Sequence, residues 1–354
     1  MEFGLSEEQT LLADSVNRYL DEASSLDRVR EFVKAPETDV WPGLVDLGVP
    51  GILVPEAAGG LSMTALDAAI VAEALGAHTA PAPFLGSAVM GPVALAAAGV
   101  EADGLLAALA GGTRRLGIAI SEAIAARDDA NITSDGDRLS GKALYVLDFG
   151  ADTYLVADRS RSLYLVDADA EGLSGRALTT IDKTRRTGEL VLDRVAASRI
   201  SDDPAVFQRM LDTGRVMLAA DTLGAAQNML DQAVAYAKER EQFNRPIASF
   251  QAVKHMCAEM AANLEPCRAL VWYAAHALDE LPAEATLTAC HTKAQLAEVG
   301  KFVAKTATEV HGGMGFTDLV GLHYWFKRIG FNRQMLGSPE LLREEAARVQ
   351  DLVA

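Results

Sequence analysis

The sequence predicts a mainly α-helical protein with a small β-domain set between two helical parts. Two changes of texture predict it. Residues 1–112 carry apolar side chains at helical spacing, broken by Gly- and Pro-dense turns. From 113 to 203, short β-branched or alternating runs take over. After Pro204 helical spacing returns and holds through 204–354. A chain of 354 residues is too long for one small core and suits two or three packed subdomains.

Taken in order, Ser6 is a good N-cap and Gln9 completes a capping box, so a first helix carries Leu11, Leu12, Val16, Tyr19 and Leu20. A second helix is predicted from Val40 to Leu47. The stretch from Val49 to Ser62 is rich in Gly and Pro and reads as a loop. A third helix, Thr64 to Leu75, is Ala-rich and apolar nearly all round, which predicts burial on most sides. A fourth is expected near Gly86 to Ala98 and a fifth near Asp103 to Ala110. At Arg115 the runs L-G-I-A-I, R-L-S-G-K-A-L-Y-V-L, T-Y-L-V-A, S-L-Y-L-V and E-L-V-L read as strands, with turns such as Ser134-Asp-Gly between them. Long helices are then expected over 204–239, 249–279 and 283–311, with a shorter one from about 339.

Half of the residues are hydrophobic, enough for a large core. The formal charge of −17 argues against a nucleic-acid partner. No apolar run reaches the roughly 18 residues of a membrane span. The start of the chain is acidic and lacks a basic, apolar signal pattern, which predicts a cytoplasmic protein. Cys257, Cys267 and Cys290 fall in predicted helices with neither disulfide nor zinc spacing, and read as buried small hydrophobes. No metal site is expected. None of the six histidines forms a triad pattern, and no nucleophile elbow or P-loop appears.

The most informative stretch is Lys238 to Met260. It reads as the end of one helix, a short turn and the start of another. Asn244 sits at the reversal and tolerates a left-handed backbone. Pro246 stops a helix at Arg245, and Ser249 is placed to cap a helix beginning at Phe250. The corner offers Arg240, Gln242, Phe243 and Gln251 together: a donor fork, two amides and an aromatic face. That set suits a phosphate-bearing aromatic cofactor. The plain alternative is a helical hairpin with charged surface residues.

The run R-E-Q-F-N-R-P-I-x-x-F-Q closely resembles the flavin-binding corner of acyl-CoA dehydrogenases, with Asn244 where that family has glycine. F-G-L-S-E-E-Q, W-P-G-L-V-D-L-G-V-P-G-I-L-V-P-E-A-A-G-G-L-S and V-A-E-A-L-G also resemble that family, in order. The resemblance covers essentially the whole chain. It implies N-terminal helices, a β-barrel-like middle domain and a C-terminal four-helix bundle. It also implies FAD, an acyl-CoA substrate, oligomerisation and transfer of electrons to an electron-transfer flavoprotein.

T-E-V-H-G-G-M-G-F, from Thr308 to Phe316, resembles a second flavin motif of the family. Glycines let a backbone approach a pyrophosphate closely. By resemblance Gly312 and Gly313 contact the dinucleotide, and Glu309 stands in the slot of a glutamine. A carboxylate there is unfavourable beside a pyrophosphate unless it points away. The family's aromatic-Ile-Thr cradle for the flavin ring reads Tyr145, Val146, Leu147 here, so its hydroxyl is missing. The upstream acidic run survives as Ile120 to Glu122, but the Gly-Ser-Asp loop has become Ala125 to Asp129. The ring half of the site is eroded and the tail half is kept.

The family reaction removes a proton α to a thioester, a task for a carboxylate held in a dry pocket. The two usual positions of that base correspond to Gly214 and Leu336, and both are empty. Asp221 is the candidate substitute, because it interrupts the apolar stripe of Phe207, Leu211, Leu218, Ala225 and Met229. Its other reading is a structural ion pair. Glu340 ranks lower, at an apparent exposed helix start, and Asp212 faces the wrong side.

Two readings of function follow from the resemblance, and a third from its erosion. The chain is the non-catalytic half of a mixed α2β2 acyl-CoA dehydrogenase, of the kind that takes bulky steroid-CoA esters in actinobacteria. Or it is a self-sufficient homo-oligomer with Asp221 as base. Or it is a flavin-free binding or scaffold protein on the same fold.

Overall fold

The structure, a computed structural model, describes residues 4–35, 39–100, 104–125 and 130–353. N-terminal helices, a middle β-sheet domain and long C-terminal helices follow one another, and the chain is mainly α.

Helix α1 (Glu7–Ala23) opens with the expected capping box: the Gln9 amide N–H donates to Ser6 Oγ and Ser6 N–H donates to Gln9 Oε1, both 3.1 Å. Helices α2 (Leu26–Lys34) and α3 (Trp41–Asp46) follow. Helix α4 (Ala65–Ala77) is buried on most sides, as its composition predicts. It lies backbone to backbone against α8 (Pro204–Glu239). A Cβ on Gly76 would fall 1.9 Å from the Asp221 carbonyl oxygen, and one on Gly224 would fall 1.9 Å from that of Glu73. Only glycine permits this approach.

The helix expected over 86–98 is two pieces. Leu85–Met90 winds as a π-helix and passes into α5 (Gly91–Ala98). The π-helical stretch packs on α8 and sets Met90 beside Gly214. Helix α6 is Leu105–Ala110; its predicted first residue, Asp103, lies outside the described residues.

The middle domain is an eight-stranded sheet: β1 (Leu116–Ala119), β2 (Asn131–Asp135), β3 (Arg138–Leu147), β4 (Thr153–Ala157), β5 (Leu163–Asp167), β6 (Leu173–Ala177), β7 (Thr187–Ala196) and β8 (Ser198–Ser201). The order is β6-β7-β3-β1-β4-β5-β8, with β2 also on β3, so among the described residues the pairing path has two ends. Among the described strands only β1 and β4 run parallel. The single turn α7 (Ser121–Ile124) follows β1. A separate core of alternating side chains, among them Val146, Tyr154, Val156 and Leu190, fills the sheet.

Helices α8, α9 (Gln251–Glu280), α10 (Pro282–His311), α11 (His323–Gln334) and α12 (Pro339–Val349) complete the chain. The spacing does not reveal α2 and α11. Both are short and charged, and tertiary packing supplies their stability. Ser249 is not the cap of α9. Ile247–Ser249 form a 3₁₀ turn and Phe250 takes the cap position without a side-chain bond. Cys257, Cys267 and Cys290 are free thiols in α9 and α10. Among the described residues no helix is long and apolar enough to cross a membrane.

Candidate active site

Gly214 lies in the N-terminal half of α8, and Leu336 in the turn between α11 and α12. The fold brings these two positions together. A Cβ on Gly214 would lie 2.8 Å from Leu336 Cδ1 and 2.7 Å from Met90 Sδ. All three residues are buried. Apolar atoms therefore fill the place where a carboxylate from either position would point.

The turn that carries Leu336 is firmly held. Leu336 has φ +56° and Gly337 φ +117°. Arg215 Nε donates to the Leu336 carbonyl at 3.0 Å. Lys293 Nζ donates to the carbonyls of Gly337 (2.9 Å) and Asn332 (3.1 Å). Arg215 is itself gripped by both Glu345 oxygens (2.8 and 2.7 Å). Burial, aided by the Arg215 charge, lowers Lys293 to about 7. Asp212 stays in this cluster, accepting from Thr286 at 2.6 Å and from Arg215 at 3.2 Å. Glu340 is exposed and meets Arg333 at 3.3 Å.

Asp221 does not have the surroundings of a base. Its Oδ1 accepts from Asn332 Nδ2 (2.6 Å) and Arg328 Nε (3.1 Å). Its Oδ2 accepts from Arg185 Nη2 (2.7 Å) and Arg328 Nη2 (2.9 Å). Burial pushes the carboxyl up, but Arg185 and Arg328 outweigh it and hold the pKa below the ordinary range. A general base for carbon acids needs the opposite shift. The geometry is that of the ion pair named above as the alternative. It ties α8 to α11 and to the segment before β7. Arg328 also bonds Thr184 Oγ1 (2.9 Å) and the Ala80 carbonyl (3.1 Å).

The corner at Arg240 is a two-residue hairpin. β9 (Glu241–Gln242) pairs with β10 (Arg245–Pro246) across Phe243 and Asn244. Both loop residues are left-handed, at φ +53° and +59°, as a type I′ turn requires. Asn244 is suited to this and Phe243 is not; the Phe243 ring stands 87% exposed. Arg240, Gln242 and Gln251 are exposed. Among the described residues the Arg240 side chain has no ion pair or hydrogen bond, while Gln251 meets His255 at 3.1 Å.

Tyr236, one turn before the hairpin, stacks on His311 with ring centroids 4.6 Å apart. That contact ties the end of α10, just before the glycine turn, to the last turns of α8, just before the hairpin. Gly312 and Gly313 are exposed, and a Cβ on either would meet nothing within 4 Å. Glu309 is exposed on the last turn of α10. Phe316, 80% exposed, adds a second bare ring. This end of the bundle thus offers an unpaired guanidinium, open backbone and aromatic faces, which fit the phosphates and adenine of a dinucleotide.

The ring half does not fit. Val146 and Leu147 are buried, and Tyr145 sits at φ +52° beside a bulge in β3. Glu122 turns inward and accepts the Leu144 N–H at 3.0 Å. Of the eroded loop only Ala125 is described; 126–129 lie outside the described residues. Spacing had not pointed to Met90, Arg215 or Lys293 as the supports of this site. A lysine among Ala289, Cys290, Ala294 and Ala297 on α10 was the one available signal for Lys293.

Residues 6–104 match the acyl-CoA dehydrogenase N-terminal domain, and 205–350 match the acyl-CoA dehydrogenase C-terminal domain. The acyl-CoA dehydrogenase IpdE2 of Mycobacterium tuberculosis is 30% identical over 348 residues, covering 97% of this chain and 98% of that protein. The chain belongs to the acyl-CoA dehydrogenase family. These are oxidoreductases acting on CH–CH donors, typically with FAD. Among solved structures, the Tcur3481-Tcur3483 steroid acyl-CoA dehydrogenase variant is 30% identical, with a TM-score of 0.88 and 98% coverage of both chains. The ChsE4-ChsE5 complex from Mycobacterium tuberculosis is 26% identical, with a TM-score of 0.90 and full coverage of both.

Proposed function

We propose that this acyl-CoA dehydrogenase chain works as the non-catalytic subunit of a mixed α2β2 complex, completing the FAD site of a homologous partner. The observation that carries this reading is the contact of Gly214 with Leu336 and Met90, which leaves both positions of the base apolar and filled. The outward-facing Arg240 and Gly312-Gly313 edge supports it from the other side. A chain that has lost its base but kept an open dinucleotide edge is suited to serve a neighbour's cofactor.

FAD bound at this edge would supply the acceptor for a hydride from the β-carbon of the acyl group. On this reading Arg240 neutralises pyrophosphate charge, Gln242 and Gln251 donate to the tail, and the open glycine backbone admits its close approach. Phe243 supplies an apolar face to it. Glu309, exposed at the end of α10, points its charge into water. On this reading the chain supplies no base of its own, and removal of the α-proton falls to the partner. The steroid and two-component names of the similar structures favour a bulky CoA ester as substrate and a homologous chain as partner. An electron-transfer flavoprotein is the fitting acceptor.

The flavin-to-chain ratio, read from visible absorbance, tests this. The expected result is no flavin on the chain alone and about one per pair when it is co-expressed with a homologue from the same locus. One flavin per chain alone overturns the reading.

A further inference from the structure

Lys293 of α10 is 2% exposed. Burying an ammonium without a counterion is costly. Among the described residues its Nζ has two hydrogen-bond partners, and both are uncharged: the carbonyls of Gly337 (2.9 Å) and Asn332 (3.1 Å). An ammonium has three N–H groups and a neutral amine two. The two acceptors therefore match the neutral amine, whereas an ammonium would bury a donor without a partner.

The surrounding charges do not favour the ammonium either. From α8 comes Arg215, whose guanidinium is held by Glu345 of α12 (2.8 and 2.7 Å) and by Asp212 (3.2 Å). From α11 comes Arg333, paired with Glu298 of α10 (3.0 Å) and Glu340 of α12 (3.3 Å). Cys290, one turn earlier on α10, has its thiol pushed up to about 12 by burial and stays uncharged. α9 meets this stretch of α10 through Thr292, whose hydroxyl donates to the Leu270 carbonyl at 3.2 Å. Burial first, then the charges of Arg215 and Arg333, lower Lys293 to about 7.

The carbonyls that Lys293 holds belong to a strained element. Asn332 lies in the last turn of α11, and Gly337 follows Leu336, whose left-handed φ of +56° is costly for a residue with a Cβ. This same turn seats Leu336 on Gly214.

We infer that Lys293 is an acid-sensitive latch on the turn between α11 and α12: as a neutral amine it holds Leu336 on Gly214, and its protonation favours a form in which the turn opens and the amine reaches water. The latch is independent of the proposed role beside a partner's flavin. The open form protonates at the ordinary 10.5 and the closed form at about 7. Opening is therefore most frequent below about 7, and falls about tenfold for each pH unit above it until 10.5.

Hydrogen exchange of the full chain tests this, read by mass spectrometry over residues 332–342 and corrected for the intrinsic pH dependence of exchange. Protection of this segment is expected to rise about tenfold or more between about pH 6 and about pH 8.5. In Lys293→Met the rise is expected to vanish; that variant keeps the histidines and Asp148, so it isolates the lysine. If its melting shows that it fails to fold, Lys293→Gln, which keeps a donor and does not titrate, takes its place. Equal protection at both pH values in the native chain overturns the inference, and so does the same rise in the variant.

Discussion

Leu336 packs against Gly214: the glycine's missing Cβ would sit 2.8 Å from the leucine Cδ1. Two positions that could each hold a carboxylate are thereby converted into one apolar contact. The glycine leaves room and the leucine occupies it, with Met90 closing the third side.

Leu336→Ala opens a cavity in that contact and is expected to cost about 2–5 kcal/mol of stability. Turnover of the co-expressed complex, per folded complex, is expected to remain, since Leu336 carries no proton. Urea denaturation and steady-state rates check the two halves. Loss of turnover with normal stability would place Leu336 in the reacting site.

Asp221→Asn leaves Arg185 and Arg328 buried with their shared charge removed. A loss of about 3–5 kcal/mol is expected. Because the folded pKa is depressed, the contribution of Asp221 is present above its ordinary value of 3.8 and is lost as pH falls below it. Denaturation curves at neutral and acid pH measure this. Turnover of whatever complex folds should be unchanged; a fall of several orders of magnitude would restore Asp221 as the base.

Asp148 behaves in the opposite sense. Burial raises it from 3.8 to about 6, although its Oδ2 accepts the Gly86 N–H at 2.7 Å. Its favourable contribution is fully present below about 3.8 and is lost as pH rises through 6. Asn at this position keeps an acceptor for Gly86 and suits the left-handed φ of +53°. Asp148→Asn should therefore gain up to about 3 kcal/mol at pH 7 and little at pH 4. Equal effects at both pH values would refute it.

Arg240→Ala removes an exposed side chain that has no ion pair or hydrogen bond among the described residues. Stability should change by no more than about 0.5 kcal/mol, while flavin content of the co-expressed complex drops. Retention of full flavin would remove Arg240 from the dinucleotide edge.

Local chemistry made several elements legible in advance. The capping box of Ser6 and Gln9 and the reversal at Asn244 depend on neighbours within a few residues, and both formed as read. The cap at Ser249 did not, because the chain uses three residues for a 3₁₀ turn first. The stripe around Asp221 showed that its carboxylate was special but could not say in which way. Its partners Arg185, Arg328 and Asn332 come from three other places in the chain.

The amino-acid order alone determined the succession of helices, sheet and helices, since the periodicities of 3.6 and 2 are local properties of side-chain placement. It also determined that no carboxylate stands at 214 or 336. Tertiary structure decided that those two positions meet, that Asp221 is held as an ion pair by Arg185 and Arg328, and that the end of α10 meets the end of α8 through His311 and Tyr236. Each of these depends on elements distant in sequence being packed together, and packing is a property of the whole core rather than of any window of residues.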